Sequence, residues 1–330
     1  MERAEKILST NNLKGYYFVN SFGKKITVKA VEDVSINVFK NEVYGIAGES
    51  GCGKSTLLKI LFDAVEPPLR VVDGKVSYFV DSKEYNIFEL DQRERQKFRW
   101  KFVSYVPQGS MNVLNPVIKI KETFKDFIKV HKPDLSDKEL IEEVRKHILE
   151  LGLRESILNS YPHQLSGGMR QRVTIALATV LKPKLIIADE PTTALDVVTQ
   201  RGVIQLIKDL QSSLKNTVIL VTHDMGVHAN IADRIGIMYA GRFVEEAETL
   251  EIFEQPRHPY TKFLIESIPT FGEKRERKSA PGSPPSLAQV PSGCPFHPRC
   301  PYVIDKCKVD VPPFKEHTPG HKTACWLLEV

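Results

Sequence analysis

The fold class of this chain is decided by the segment Gly48-Glu49-Ser50-Gly51-Cys52-Gly53-Lys54-Ser55. An apolar run from Val43 to Ala47 precedes it, and Thr56 opens a helix-like run after it. A glycine-rich loop between a strand and a helix surrounds phosphates with its backbone N–H groups, while the lysine lies between the terminal phosphates and the serine hydroxyl binds Mg²⁺. The segment therefore predicts a P-loop for a nucleotide, with an ordinary glycine-rich turn as the alternative. Cys52 is interpreted as a small loop residue.

A second apolar run, from Leu185 to Ala188, ends in the adjacent carboxylates of Asp189 and Glu190. Burying both charges without a metal or a proton partner would be costly. Because P-loop chemistry needs an acidic strand end, Asp189 is predicted to coordinate Mg²⁺, directly or through water. Glu190 is predicted to be the general base that polarises the attacking water. The alternative is that both carboxylates are exposed at the end of a strand.

The rest of the chain indicates an α/β fold with additions to a parallel sheet. The first 40 residues predict antiparallel strand pairs. Residues 86–165 predict an inserted helical subdomain, in which Ser136 and Glu139 form a capping box at the start of a helix that ends before Gly152. Residues 1–265 are thus expected to form one large domain, followed by a linker over residues 266–293 and a cysteine-rich extension over residues 294–330.

Composition excludes some classes of protein. The chain has 330 residues, with 46 basic against 41 acidic side chains, a balance too even to indicate a nucleic-acid partner. Its charged start does not resemble a signal peptide, and no apolar stretch reaches the roughly 18 residues of a membrane helix. We therefore expect a soluble, cytosolic protein.

The segment Leu165-Ser166-Gly167-Gly168-Met169, which precedes the acidic strand, resembles the signature of the ABC ATPase family, Leu-Ser-Gly-Gly-Gln, with Met169 as a departure at the fifth place. As a glycine-rich turn that opens a helix, it suits an anion. The resemblance implies that Ser166, Gly167 and Gly168 face the γ-phosphate held by an opposite subunit. Each chain would then carry two half-sites, and ATP with Mg²⁺ would be the ligand.

Other segments resemble elements of the same family in the same order. Gln108, after Tyr105-Val106-Pro107, would sense Mg²⁺ and the attacking water; Asp196 would belong to the D-loop; and His223 would contact the γ-phosphate. In isolation, His223 would be interpreted as a structural histidine. Tyr17 would stack on the adenine, with Tyr16 and Phe22 as substitutes, although an aromatic side chain in a strand more often serves packing.

Four of the five cysteines lie in the C-terminal extension, behind the linker-like segment Ser279 to Ser286 that separates it from the large domain. Their spacing is looser than in zinc fingers and unlike either common ferredoxin pattern. They leave open an iron–sulfur cluster, a zinc site, which could also use His297, His317 or His321, and unpaired buried thiols. The four residues are Cys294, Cys300, Cys307 and Cys325.

The extension resembles that of dipeptide and oligopeptide permease ATP-binding subunits, through Arg257-His258-Pro259-Tyr260-Thr261 and the segment Gly293 to Cys300. Ser110-Met111 and Leu114-Asn115-Pro116 agree with it. The resemblance implies a [4Fe–4S] cluster on the four cysteines, with Zn²⁺ as the alternative. It also implies a peripheral subunit at the cytoplasmic face of the membrane, whose partners are a paralogous ATPase, two transmembrane permease subunits and an external peptide-binding protein.

Three other functions are kept open. Related importers for nickel or other solutes have similar cassettes. Some ABC ATPases act on DNA or ribosomes without a membrane partner, although these usually carry two cassettes or a long coiled coil. A redox- or metal-sensing regulator would use the cysteine-rich extension to control the cassette.

Overall fold

The computed structural model describes residues 5–21, 23–109, 113–268 and 280–329. They form two compact units, one from Met1–Glu89 with Val221–Val330 and the other from Leu90–Leu220. Phe22, Ser110, Met111 and part of the proposed linker lie outside the described residues.

The first unit begins with an antiparallel sheet, as its N-terminal sequence predicts. Its strand order is β2-β1-β5-β6, and β3 pairs with β1. The alternating burial along β1 gives the sheet one packed face. The strands are β1 (Lys6–Ser21), β2 (Lys24–Val34), β3 (Asn37–Phe39), β5 (Leu69–Val80) and β6 (Lys83–Asn86).

The same unit contains the strand that leads into the glycine-rich loop, β4 (Val43–Ala47), whose five residues are all buried. This strand pairs in parallel with β10 (Arg234–Tyr239), which pairs with β11 (Arg242–Glu248). On the outer side of β11 lies a hairpin from the C-terminal extension, β13 (His321–Thr323) with β12 (Lys315–Thr318). The helices of this unit are α1 (Lys54–Leu61), α7 (Met225–Ile231), α8 (Thr249–Glu254), α9 (Pro259–Glu266) and α10 (Asp305–Val309).

The second unit contains three strands in the order β9-β8-β7, namely β9 (Thr217–Val221), β8 (Leu185–Asp189) and β7 (Val103–Val106). β7 and β8 are parallel, and every residue of β8 and β9 is buried. Continuous apolar runs therefore correspond to strands covered on both faces, as the sequence predicts. The helices are α2 (Gln92–Phe98), α3 (Ile120–His131), α4 (Asp137–Glu150), α5 (Gly167–Thr179) and α6 (Val197–Leu214).

Helix α4 confirms the predicted capping box. The Ser136 hydroxyl accepts from the Glu139 N–H, and the Glu139 carboxylate accepts from the Ser136 N–H. Leu140, Val144 and Ile148 are fully buried, so the helical periodicity corresponds to its packed face. Of the helices within the described ranges, none is both long and apolar enough to cross a membrane.

Candidate functional site

The loop from Gly48 to Gly53 depends on two glycines whose surroundings leave no space for a side chain. Gly48 has φ +150°, and a Cβ there would lie 2.2 Å from the Met238 carbonyl oxygen. Gly53 has φ +108°, and a Cβ there would lie 1.9 Å from the Ala30 carbonyl oxygen. Because both obstacles are backbone atoms, neither can move aside cheaply, and the glycines fix the path of the loop into α1.

Lys54, the first residue of α1, lies over this loop and is 5% exposed. Its Nζ donates to the carbonyl oxygens of Gly48 and Glu49, at 2.7 and 2.9 Å. Burial raises the pKa of Cys52, which keeps this cysteine a thiol, as expected for a small loop residue. The loop thus holds one ammonium group beside the N–H groups at the start of a helix, an arrangement suited to phosphates.

The remaining residues of the predicted site lie along the loop and in the first turn of α1. Ser50 and Gly51 are exposed at its tip, and Ser55 is half-buried in the first turn of α1. Thr56 is buried, and its hydroxyl oxygen lies 3.2 Å from the Tyr17 hydroxyl. The half-buried Tyr17 is therefore placed beside the helix that follows the loop, whereas its role as the adenine platform stays a prediction.

Tyr16, the first substitute for Tyr17, has a different partner. Its hydroxyl donates to the Glu32 carboxylate at 2.6 Å, and the ring lies 5.7 Å from the Lys29 Nζ. The role of Tyr16 as a substitute platform for the adenine also stays a prediction. The second substitute, Phe22, lies outside the described residues.

In the second unit, β8 ends in the predicted acidic pair. Asp189 is 2% exposed and accepts a hydrogen bond from the Tyr105 hydroxyl at 3.0 Å. Burial, together with the nearby carboxylate, raises the pKa of Tyr105, so the phenol keeps its proton and remains a donor. The sequence patterns did not indicate this contact. It arises because β7 and β8 are parallel neighbours, in which Tyr105 is opposite Ile187, two positions before Asp189.

Glu190 follows with a left-handed backbone, φ +44°, which is uncommon for a residue with a side chain. Its Oε2 accepts from the Gln108 amide at 3.1 Å and from the Thr193 hydroxyl at 2.7 Å. The structure thus brings Gln108 and Glu190 together, as their predicted roles require. Backbone strain of this kind is concentrated at functional sites.

The predicted signature turn opens helix α5, with Ser166 as its N-cap accepting from the Met169 N–H at 3.3 Å. A Cβ at Gly168 would lie 2.5 Å from Thr199 Cγ2, so glycine permits α5 and α6 to approach closely. Asp196 is the N-cap of α6, and its carboxylate accepts from the backbone and the hydroxyl of Thr199, which lower its pKa. Asp196 is therefore ionised and exposed beside the turn.

His223 is exposed two residues after the end of β9, near the start of the first unit's second segment. The next residue, Asp224, caps α7 by accepting from the N–H groups of Gly226 and Val227. The cap fixes the backbone that follows His223, and the role of this side chain towards phosphate stays a prediction.

Comparison with known proteins agrees with these features. Residues 31–193 match the ABC transporter family, and residues 244–307 match the C-terminal region of oligopeptide/dipeptide transporters. The dipeptide transport ATP-binding protein DppD of Caldanaerobacter subterraneus subsp. tengcongensis is 42% identical over 98% of this chain and 97% of that protein. The chain belongs to the ABC transporter family.

Two further comparisons extend over the same regions. The oligopeptide transport ATP-binding protein AppD of Bacillus subtilis is 39% identical to this ABC protein, over 98% of this chain and 97% of its own length. A solved ATP-binding cassette, in a dimeric post-hydrolysis state bound to ADP and Pi, is 30% identical with a TM-score of 0.63, covering 74% of this chain and 99% of that one.

The C-terminal extension of this ABC protein contacts its glycine-rich loop directly. Arg299, 6% exposed, donates from Nη1 and Nη2 to the two oxygens of the Glu49 carboxylate, at 2.7 and 2.9 Å. Leu287, within the predicted linker, accepts from the Lys29 N–H through its carbonyl oxygen at 2.9 Å. The linker and the extension therefore contact the large domain, a packing that the linker-like sequence did not indicate, while the predicted domain boundaries stay a prediction.

The four cysteines of the extension are brought into electrostatic contact without forming a metal site. Burial raises the pKa of Cys294 to about 12 and that of Cys325 to about 11, and neighbouring cysteines, Cys300 and Cys307 among them, add to both shifts. Within the described part of the chain, no group of three or more His, Cys, Asp or Glu side chains is arranged to hold a metal ion. The predicted cluster and its zinc alternative are therefore not supported by this arrangement.

The three histidines considered for a mixed zinc site make other contacts. The His297 ring lies 2.9 Å from the Cys294 carbonyl oxygen, and the His317 ring lies 3.2 Å from the Thr323 carbonyl oxygen. His321 Nε2 lies 2.7 Å from the Glu245 carboxylate, where both side chains are buried. These rings stabilise the backbone and the hairpin of the extension.

Proposed function

We propose that this chain is the ATP-hydrolysing subunit of an ABC importer, which couples ATP binding and hydrolysis to the uptake of dipeptides and oligopeptides through membrane subunits. The observation that carries the ATPase assignment is the buried Lys54, held at the start of α1 by a loop that only glycine can form. The peptide assignment is supported by the family match of the extension and by relatives named for dipeptide and oligopeptide transport.

The chemistry follows from where the charges lie. Lys54 and the N–H groups of the loop bind the phosphates and neutralise the charge that grows on the γ-phosphate during transfer. Ser55, Gln108 and Asp189 offer hydroxyl, amide and carboxylate oxygens, the hard ligands that Mg²⁺ prefers. Mg²⁺ supplies charge neutralisation of the phosphate oxygens when it is bound.

Glu190 is the proposed general base, since Gln108 and Thr193 both donate to one oxygen of its carboxylate and thereby fix its orientation. In this role the carboxylate accepts a proton from the attacking water. His223 is proposed to contact the γ-phosphate from the end of β9.

We propose further that a paralogous ABC ATPase completes the site by presenting its own signature turn, while Ser166, Gly167 and Gly168 of this chain serve the partner's nucleotide. The similar solved cassette is dimeric, which supports this arrangement. Two transmembrane permease subunits would hold the pair at the cytoplasmic face of the membrane, and an external binding protein would deliver the peptide. Co-purification of those subunits with a tagged chain tests the assignment, and their replacement by DNA or ribosomes would contradict it.

The ATPase assignment is tested by Lys54→Ala in the purified complex. Loss of the phosphate-binding ammonium group should reduce ATP turnover at least about 100-fold. Lys59→Ala is the matched control, because Lys59 is an exposed lysine in the last turn of the same helix and should leave turnover unchanged. Near-normal phosphate release by the Lys54 variant would overturn the site.

The [4Fe–4S] cluster on Cys294, Cys300, Cys307 and Cys325 stays a finer proposal, supported by the mutual influence of the thiols and opposed by their present geometry. Ligation would require thiolates, so binding of the cluster would release the thiol protons. Anaerobically prepared protein should be brown and contain about four irons per chain if the proposal holds. Colourless protein with one zinc per chain, or with no metal, would exclude it.

A further inference from the structure

Arg299 of the C-terminal extension binds the side chain of Glu49, which belongs to the loop from Gly48 to Gly53. The guanidinium makes a two-pronged contact with the Glu49 carboxylate, the geometry in which an arginine–carboxylate pair is strongest. Nε of Arg299 donates to the Pro281 carbonyl oxygen at 2.8 Å, and the group lies 5.8 Å from the ring centroids of Tyr239 and Phe296. These contacts fix the orientation of the Arg299 guanidinium towards the loop.

A second contact holds the same loop residue by its backbone. The Glu49 N–H donates to the Tyr260 hydroxyl at 2.8 Å. The fully buried Tyr260 ring packs at 4.6 Å from that of Tyr239 and at 5.5 Å from that of Phe296. Since Phe296 belongs to the extension, both the main chain and the side chain of Glu49 are positioned by groups that need the extension in place.

The charge of Glu49 makes this contact matter for the nucleotide. A carboxylate within a phosphate-binding loop repels a polyphosphate, and this repulsion acts at short range in a site of reduced dielectric. A paired arginine cancels most of it and keeps the loop in one conformation. Removing the arginine would therefore leave an unpaired negative charge in the loop.

We infer that Arg299 is a positioning residue for ATP binding, through which the folded C-terminal extension sets the affinity of the phosphate loop. The inference rests on the proposed function of the loop from Gly48 to Ser55. An ion pair that only anchors the extension would give a different result, since its loss would loosen the extension without an electrostatic effect on the nucleotide.

The test measures binding of a fluorescent ATP analogue, N-methylanthraniloyl-ATP with Mg²⁺, to the full chain. Arg299→Gln should weaken binding about tenfold. The loss should shrink as the salt concentration rises from about 0.1 to about 0.5 M, because salt screens the partly exposed Glu49 carboxylate. The double variant Arg299→Gln with Glu49→Gln should return to within about threefold of the parent, since the unpaired charge is gone.

The matched control is Lys322→Gln, which removes another ion pair between the extension and the rest of the unit, 3.0 Å from Lys322 Nζ to Glu246 Oε1, away from the loop. It should leave ATP binding unchanged. An equal loss in this control would show general loosening of the extension and overturn the inference, as would unchanged binding in Arg299→Gln or no recovery in the double variant.

Two further variants keep the outcomes distinct. Arg299→Lys retains the charge without the two-pronged contact, and it replaces Arg299→Gln if circular dichroism shows that the latter does not fold. A loss of about threefold is then expected, and the absence of any loss overturns the inference.

Lys54→Ala must abolish binding in the same assay. If the Lys54 variant still binds the analogue, the proposed function of the loop is wrong. If the Lys54 variant loses binding but the Arg299 variant binds as the parent does, only the positioning role of Arg299 is refuted.

Discussion

Lowering the pH from about 7 to about 5 should destabilise the fold through His228 on helix α7. Burial is the largest cause that lowers the pKa of His228 from 6.5 to about 4. Its Nε2 lies 3.2 Å from the Thr222 carbonyl oxygen, whereas Nδ1 has no hydrogen-bond partner among the described residues. A Cβ on Gly45 would lie 2.5 Å from that nitrogen, so the ring fits closely against β4. A second proton would place a positive charge on a fully buried ring.

The sign follows from the lower pKa in the folded state. The stabilisation is complete above about pH 6.5, the unfolded value, and is lost as the pH falls towards about 4. At about pH 5 the unfolded histidine is mostly protonated and the folded one is not. Linkage then gives a loss of about 2 kcal/mol in the free energy of unfolding relative to about pH 7. His258, whose pKa burial also lowers to about 4, adds a separate loss.

Urea unfolding at the two pH values, followed by circular dichroism at constant ionic strength, measures this loss. His228→Gln keeps an N–H donor for the Thr222 carbonyl but cannot titrate, so its stability should fall by about 2 kcal/mol less than that of the parent. His163→Gln, at an exposed histidine, is the control and should retain the parental pH dependence. An equally steep acid loss in His228→Gln would refute the buried neutral ring.

Two substitutions test the acidic strand end. Glu190→Gln retains an oxygen that accepts from Gln108 and Thr193, so the fold and ATP binding should persist while phosphate release slows at least about 100-fold; loss of nucleotide binding would contradict the general-base role. Tyr105→Phe removes the hydroxyl that donates to buried Asp189 and should lower the urea-derived free energy of unfolding by about 2 kcal/mol, an expectation that an unchanged urea midpoint would exclude.

The parts of the fold that were predictable from the sequence depend on neighbouring residues. The capping box at Ser136 extends over only four positions, and the loop from Gly48 to Ser55 needs a strand before it and a helix after it. Apolar runs without alternation predicted β4, β8 and β9, since strands covered on both faces need no polar side. Each of these patterns depends only on residues that are close in sequence, so the elements could be predicted without any tertiary contact.

The contacts that were missed join residues far apart in the chain. Tyr105 and Asp189 are separated by 84 positions, and Arg299 and Glu49 by 250. Nothing in a proline-rich segment with four cysteines indicates that an arginine reaches the phosphate loop. A signal did exist in the loop itself, since Glu49 is an acidic residue in a phosphate-binding segment and needs a cationic partner there.

The hairpin beside β11 has a consequence for how the chain is made. Glu245 and Glu246 are paired with Thr323 and Lys322, and His321 follows its partner Glu245 by 76 residues. At about 5–20 residues per second, the ribosome needs roughly 4–15 s to add that stretch, and during this time the outer N–H and C=O groups of β11 have no strand beside them. An open strand edge is a template for pairing with other chains. Nascent chains released before Lys315 should therefore aggregate or bind chaperones more than the full chain does.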